Sequence, residues 1–168
     1  MSLIVATIVS VLMIAVDRIT KAWAVGAFAD RVQSIPVIRG ILSFYYVEND
    51  GAGFSILSGR TIFLIVFSSL AMLFVFYLIV SRKLKSAVAD WGLCLILAGG
   101  IGNLIDRITR GGRVVDFIKT DFIDFPIFNV ADICVTVGAG LIILYFIIDT
   151  VKDARKKRTE KENKNEQN

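Results

Sequence analysis

The sequence predicts a mainly α membrane protein: a four-transmembrane-helix bundle with a small extracytoplasmic β platform and loop. Three observations carry this. The 168 residues are 55% hydrophobic, with a mean hydropathy of +0.69, well beyond an average soluble domain. The apolar residues are gathered into four long blocks, and a hydrocarbon core of about 30 Å takes roughly 20 helical residues to cross. Between the first two blocks the composition turns to β-branched and aromatic residues. One membrane domain over residues 1–150 and a separate tail over 151–168 follow from this division.

Block one stays apolar or small from Leu3 to Val16, 14 residues or about 21 Å of helix. It spans only by continuing through Asp17 and Lys21 to about residue 25, which takes charges to membrane depth. Ala27-Phe28-Ala29 imitates a leader-cleavage site, but no positive residue precedes the block, so an uncleaved span is expected. Residues 33–57 read as short strands, with Asn49-Asp50-Gly51 as the turn signal. Ile41, Leu42, Phe44, Tyr45, Tyr46 and Phe54 are too apolar for water, so this piece is expected to rest on lipid headgroups.

Block two, residues 61–80, carries no charge and is followed by Arg82, Lys83 and Lys85. Block three, 87–105, begins near Asp90 and closes on Gly99, Gly100, Gly102 and Asn103, small residues that permit close helix approach. A loop from Asp106 to Phe128 holds Pro126, and block four, 130–149, follows. The basic loop after block two and the basic tail predict that both termini are cytoplasmic. The tail is charged, nearly free of apolar residues and expected to be disordered. It has no aromatic residue to stack on a base, so lipid headgroups, not nucleic acid, are its expected neighbours.

The chain has no histidine, which removes Ser-His-Asp, Cys-His and HExxH chemistry together. Cys94 and Cys134 lie inside apolar blocks without CxxC spacing and read as small buried hydrophobes. With four spans, Asp17, Lys21, Asn49, Asn103, Asp106, Arg107, Asp116, Asn129 and Asp132 converge at the outer ends of the helices. Ionisable groups at that depth cost at least about 2.5 kcal/mol each, so the cluster reads as a functional site. Asp17 and Lys21 are an i,i+4 pair, readable as an ion pair easing insertion or as substrate contacts. Asp106 beside Arg107 reads as a structural pair, while the Arg107 fork can hold a carbonyl or phosphate. Asn129 caps block four in this reading. Asp132, in the first turn of a span, calls for a second carboxyl with which to share a proton and divide the roles of base and acid. Asp116, in the apolar run Val114 to Ile118, is a candidate, and periodicity leaves Asp121 and Asp124 as rivals. An ion- or proton-conducting membrane protein using the same carboxylates is the competing class.

Asp17-Arg18-Ile19-Thr20-Lys21, Asn49-Asp50-Gly51-Ala52-Gly53-Phe54, Gly102-Asn103-Leu104-Ile105-Asp106-Arg107, Val114-Val115-Asp116-Phe117-Ile118 and Phe128-Asn129-Val130-Ala131-Asp132 follow one another in order. This series resembles the motifs of the bacterial lipoprotein signal peptidases, or signal peptidase II, with Gly53 standing where that family has Ala. The resemblance implies an aspartyl endopeptidase of the bacterial cytoplasmic membrane; its carboxylate chemistry requires no metal or organic cofactor, and a monomer is expected. Its substrates would be diacylglyceryl-modified prolipoproteins, cut on the amino side of the lipidated cysteine. It implies Asp116 and Asp132 as the catalytic pair, with Asp17, Lys21, Asn49, Gly102, Asn103, Arg107, Asn129 and Ala131 around them.

Overall fold

The computed structural model describes residues 3–28, 30, 34–51, 57 and 59–166. Its elements are α1 (Leu3–Phe28), β1 (Ile35–Ile38), β2 (Leu42–Asn49), α2 (Thr61–Ser81), α3 (Ala87–Thr109), β3 (Val114–Thr120) and α4 (Val130–Glu166). Ala29 of the cleavage-like tripeptide, with Gly53 and Phe54 of the Asn-x-Gly motif, lies outside the described residues.

Among the described residues, three helices are long and apolar enough to cross a membrane: Thr61–Ser81, Ala87–Thr109 and the Val130–Glu160 part of α4. Helix α1 has 26 residues, a length of about 39 Å, and carries its charges in the C-terminal half. The tail, expected to be disordered, instead continues α4 as helix to Glu166. After Gly140 the chain has neither Gly nor Pro, and beyond Asp149 it is rich in Lys, Arg and Glu, so nothing stops the helix that block four begins. An i,i+4 pair between Lys156 and Glu160 at 4.0 Å lies along it.

Helix α3 is the hub, and glycine supplies its approach to each neighbour. A Cβ on Gly92 would stand 2.9 Å from the Gly138 carbonyl of α4, and one on Gly99 would be 2.8 Å from Val135 and closer still to the Ala131 carbonyl. Gly100 seats the Met72 thioether of α2, and a Cβ on Gly102 would come 2.5 Å from the Asp17 carboxylate of α1. Because successive residues turn by about 100°, Gly99, Gly100 and Gly102 face three different helices. Helix α2 packs on α3 and leaves a cleft on either side. One, of about 480 Å³, runs between α1, α2 and α3. The other, of about 640 Å³, runs between α2, α3 and α4. Met72 borders both.

The sheet has the order β1-β2-β3 and is antiparallel throughout. Its hairpin turns at Arg39–Ile41, where Gly40 has φ +73°. The turn signal at Asn49-Asp50-Gly51 is used differently, as an Asx turn in which the Gly51 N–H donates to Asn49 Oδ1 at 2.9 Å. The expected loop at Val114 to Ile118 is a strand instead. Val114 to Phe117 are all buried, because one face lies on the aromatic end of α1 and the other on the polar cluster. The Trp23 ring meets Phe28 at 4.8 Å and Phe44 at 5.0 Å, both edge-on, which fixes the sheet to the end of α1.

Gly99→Leu should push α3 from α4 and destabilise the bundle by about 3 kcal/mol, whereas Gly26→Leu, with nothing within 4 Å of its Cβ, should be tolerated. Denaturant unfolding in micelles measures both.

Candidate active site

Asp116 comes from the buried part of β3, and the chain that follows returns to it. The Phe128 carbonyl accepts the N–H groups of Phe117 at 3.0 Å and Ile118 at 2.8 Å, which sets the next residue, Asn129, beside Asp116. The Asn129 Nδ2 donates to Asp116 Oδ1 at 2.6 Å, and Asn49 Nδ2, at the end of β2, donates to Asp116 Oδ2 at 3.0 Å.

Asn129 also opens α4. Its Oδ1 accepts the Asp132 N–H at 2.9 Å while Asp132 Oδ2 accepts the Asn129 N–H at 3.0 Å, a reciprocal box that satisfies two free donors of the helix start. Asn103 Nδ2 donates to the other oxygen of Asp132 at 2.8 Å. One asparagine thus holds both carboxylates, the first by its side-chain amide and the second by its backbone. Burial first, then the neighbouring Asp132 charge, pushes the Asp116 carboxyl up to about 7, against the Asn49 and Asn129 donors and the Lys21 ammonium.

Behind this pair lies a buried ionic layer. The Lys21 ammonium, with no exposure, stands 3.0 Å from Asp17 Oδ2 and 3.0 Å from Asp106 Oδ2, and donates to Asn103 Oδ1 at 2.8 Å. The Asp17 Oδ1 accepts the Ala131 N–H at 3.0 Å, so α1 also holds the first turn of α4. Gly102 is the residue that leaves room for this carboxylate.

Asp106 does not pair with Arg107. On a helix, neighbours in sequence point about 100° apart, and Asp106 turns to Lys21, to Arg18, to Arg110 Nε at 3.5 Å and to the Val115 N–H at 3.3 Å. Arg107 turns the other way, donating from Nη2 to the Gly51 carbonyl at 2.9 Å. Its buried Nε has no partner among the described residues, and the side chain borders the 640 Å³ cleft together with Asn49, Asn103, Asp116 and Asp132. The rest of that cleft is mostly apolar, with Phe67, Met72 and Val135 among its walls.

Of the rivals, Asp121 accepts from Ser43 Oγ and pairs with Lys119 at 3.6 Å, while Asp124 lies in the exposed stretch after β3. Neither borders the cleft. Sequence reasoning missed Arg18 and Glu48 as partners of the cluster. Arg18 had a signal, since it precedes Lys21 by three residues on one helix face. Glu48 had none, because the arginines it meets are more than 60 positions away in the chain.

The family profile described as signal peptidase (SPase) II matches residues 9–148. A lipoprotein signal peptidase of Lactobacillus johnsonii is 42% identical over 146 residues, 87% of this chain and 94% of its own length. One from Enterococcus faecalis is 39% identical over 149 residues, covering 88% and 90%. Among solved structures, a bacterial membrane enzyme determined at 2.3 Å superposes with a TM-score of 0.80 at 31% identity, covering 88% of this chain and 90% of that one.

Lys21→Met should leave Asp17 and Asp106 as poorly compensated buried charges and cost about 3 to 5 kcal/mol of stability. Adding Asp17→Asn, which keeps an acceptor for the Ala131 N–H, should recover part of the loss. Unfolding midpoints in detergent would register both changes.

Proposed function

This chain belongs to the signal peptidase II family, and from that premise we propose that it removes signal peptides from diacylglyceryl-modified prolipoproteins, cutting on the amino side of the lipidated cysteine. Asp116 and Asp132 are the catalytic aspartates of this aspartyl endopeptidase. The observation that carries the reading is the pairing of both carboxylates on Asn129 at the wall of a cleft that is otherwise largely apolar. Four helices span the bacterial cytoplasmic membrane, α1 among them, with both termini cytoplasmic and the cleft near the outer face. Confinement of the ionic cluster to one end of the bundle weighs against a conduction path.

In the proposed reaction the pair holds one water and one proton. The ionised carboxylate takes a proton from the water as its oxygen attacks the scissile carbonyl carbon, and the protonated carboxyl donates to the carbonyl oxygen. Collapse of the tetrahedral intermediate breaks the C–N bond, and the amine nitrogen leaves with a proton returned from the pair. Asn49, Asn103 and Asn129 keep the carboxylates in place, and Arg107 Nε, which has no partner among the described residues, is available to a substrate carbonyl. Apolar walls on α2 and α4 suit acyl chains that stay in lipid, so anchoring of the substrate supplies orientation as well as affinity.

Cleavage of a diacylglyceryl lipobox peptide by the purified protein in lipid tests this reading. Asp116→Asn and Asp132→Asn should each lose activity by at least about a thousandfold, and Asp124→Asn should retain it. An unlipidated peptide should not be cut. Activity surviving in either of the first two would remove the pair from the mechanism.

The pH dependence has a defined sign. A carboxyl raised to about 7 keeps the shared proton below that pH and gives it up above, so the rate should fall as pH rises through about 7. Asn49→Ala removes a donor that favours the ionised form, so the alkaline limb should move to higher pH. Rate–pH profiles at saturating substrate would measure the displacement.

A further inference from the structure

The β2–β3 ladder comes in two parts. Leu42, Ser43 and Phe44 pair with Thr120, Lys119 and Ile118, and then the register shifts before Val47. Tyr45 and Tyr46 there face the single residue Phe117, an extra residue that twists the strand and breaks the pairing. Past the shift only Val47↔Asp116, Glu48↔Val115 and Asn49↔Val114 remain. These three pairs carry Asp116 and the asparagine that donates to it. A slip of one residue would turn Asn49 to the opposite face of the sheet, and the shift leaves the first part of the ladder unable to prevent it.

Beside these pairs, the carboxylate of Glu48, on the face of β2 opposite Asn49, ties the end of β2 to the turn that leads into β3. It accepts from Arg113 Nη1 at 2.6 Å and from the Tyr46 hydroxyl at 2.8 Å, and stands 3.7 Å from Arg110 Nη1. Arg110 and Arg113 flank the turn from α3 into β3, where Gly111 and Gly112 take φ of +62° and +97°. From Arg110 the contacts run on through Asp106 and Lys21 to Asn103 and Asp132. Partly exposed ion pairs of this kind add little to stability, but this one sits at the end of the ladder that carries Asn49 and Asp116.

We infer that Glu48 is a positioning residue for Asp116: by clamping the α3–β3 turn to the end of β2, it holds Asn49 in the register from which its amide reaches the Asp116 carboxylate. The inference rests on the reading of Asp116 as catalytic. Asp116 is faced by Asn49 from β2, Lys21 from α1, Arg107 from α3, and Asn129 and Asp132 from α4. Glu48 acts on it through Asn49.

The test uses the lipidated-peptide assay with Glu48→Ala, Asn49→Ala and the double variant. Glu48→Ala should lower kcat roughly tenfold, the worth of about one hydrogen bond, with KM little changed. Its alkaline limb should move to higher pH, as in Asn49→Ala, and the double variant should show no further displacement. Exchanging the charges, Glu48→Arg with Arg113→Glu, should return the limb toward its wild-type position. A Glu48→Ala enzyme with reduced kcat and an unmoved limb would overturn the inference, as would displacements that add in the double variant. If Glu48→Ala yields no folded protein, Arg113→Ala provides the same comparison from the other partner. Failure of the catalytic assignment itself would show separately, as activity in Asp116→Asn.

Discussion

A lysine ammonium buried among apolar helices must find its counter-charges within the fold, because burial separates it from bulk solvent and its ions. Lys21 finds them on both sides, in Asp17 of its own helix and Asp106 of α3, and spends its remaining reach on Asn103. The consequences spread from there. Asp17, held by Lys21, accepts the Ala131 N–H and so ties α1 to the start of α4. Asn103, with its oxygen engaged by Lys21 and Asn129, has its amide free to donate to Asp132. The carboxylates at the cleft are therefore aimed by a layer of charge that does not itself border it, and the same layer ties α1 to α3 and to the start of α4.

Glycine makes that layer possible. Had α3 carried side chains at Gly99 and Gly102, α4 and the Asp17 carboxylate could not approach, and the ionic contacts would lengthen beyond useful distance. Small residues in a membrane helix are often explained by packing alone. Here they also set electrostatic distances.

The helical blocks were legible in the sequence because the bilayer dictates both their length and their composition. So was the gathering of Asn49, Asn103, Asn129 and Asp132, which follows from alternating helix direction. Strand β3 was not legible, since Val114 to Phe117 are buried on both faces and leave no period-2 pattern to read. For the same reason periodicity could not prefer Asp116 to Asp121 or Asp124. The partners of Asp106 were misjudged because adjacency in sequence is not adjacency on a helix. The tail was misjudged because a composition unable to build a core can still continue a helix that something else has started.

Helix α2 leans mainly on α3, with a cleft open along each flank. Its outward residues, Phe63, Leu70 and Phe74 among them, are more than half exposed. On the proposed function this geometry makes encounter a problem in a plane. Enzyme and substrate drift in the same sheet of lipid, meet side-on, and are already aligned along its normal when they do. What governs their meeting is then the number of substrate molecules per area of bilayer, so that the membrane acts as the solvent, the concentrator and part of the binding site at once.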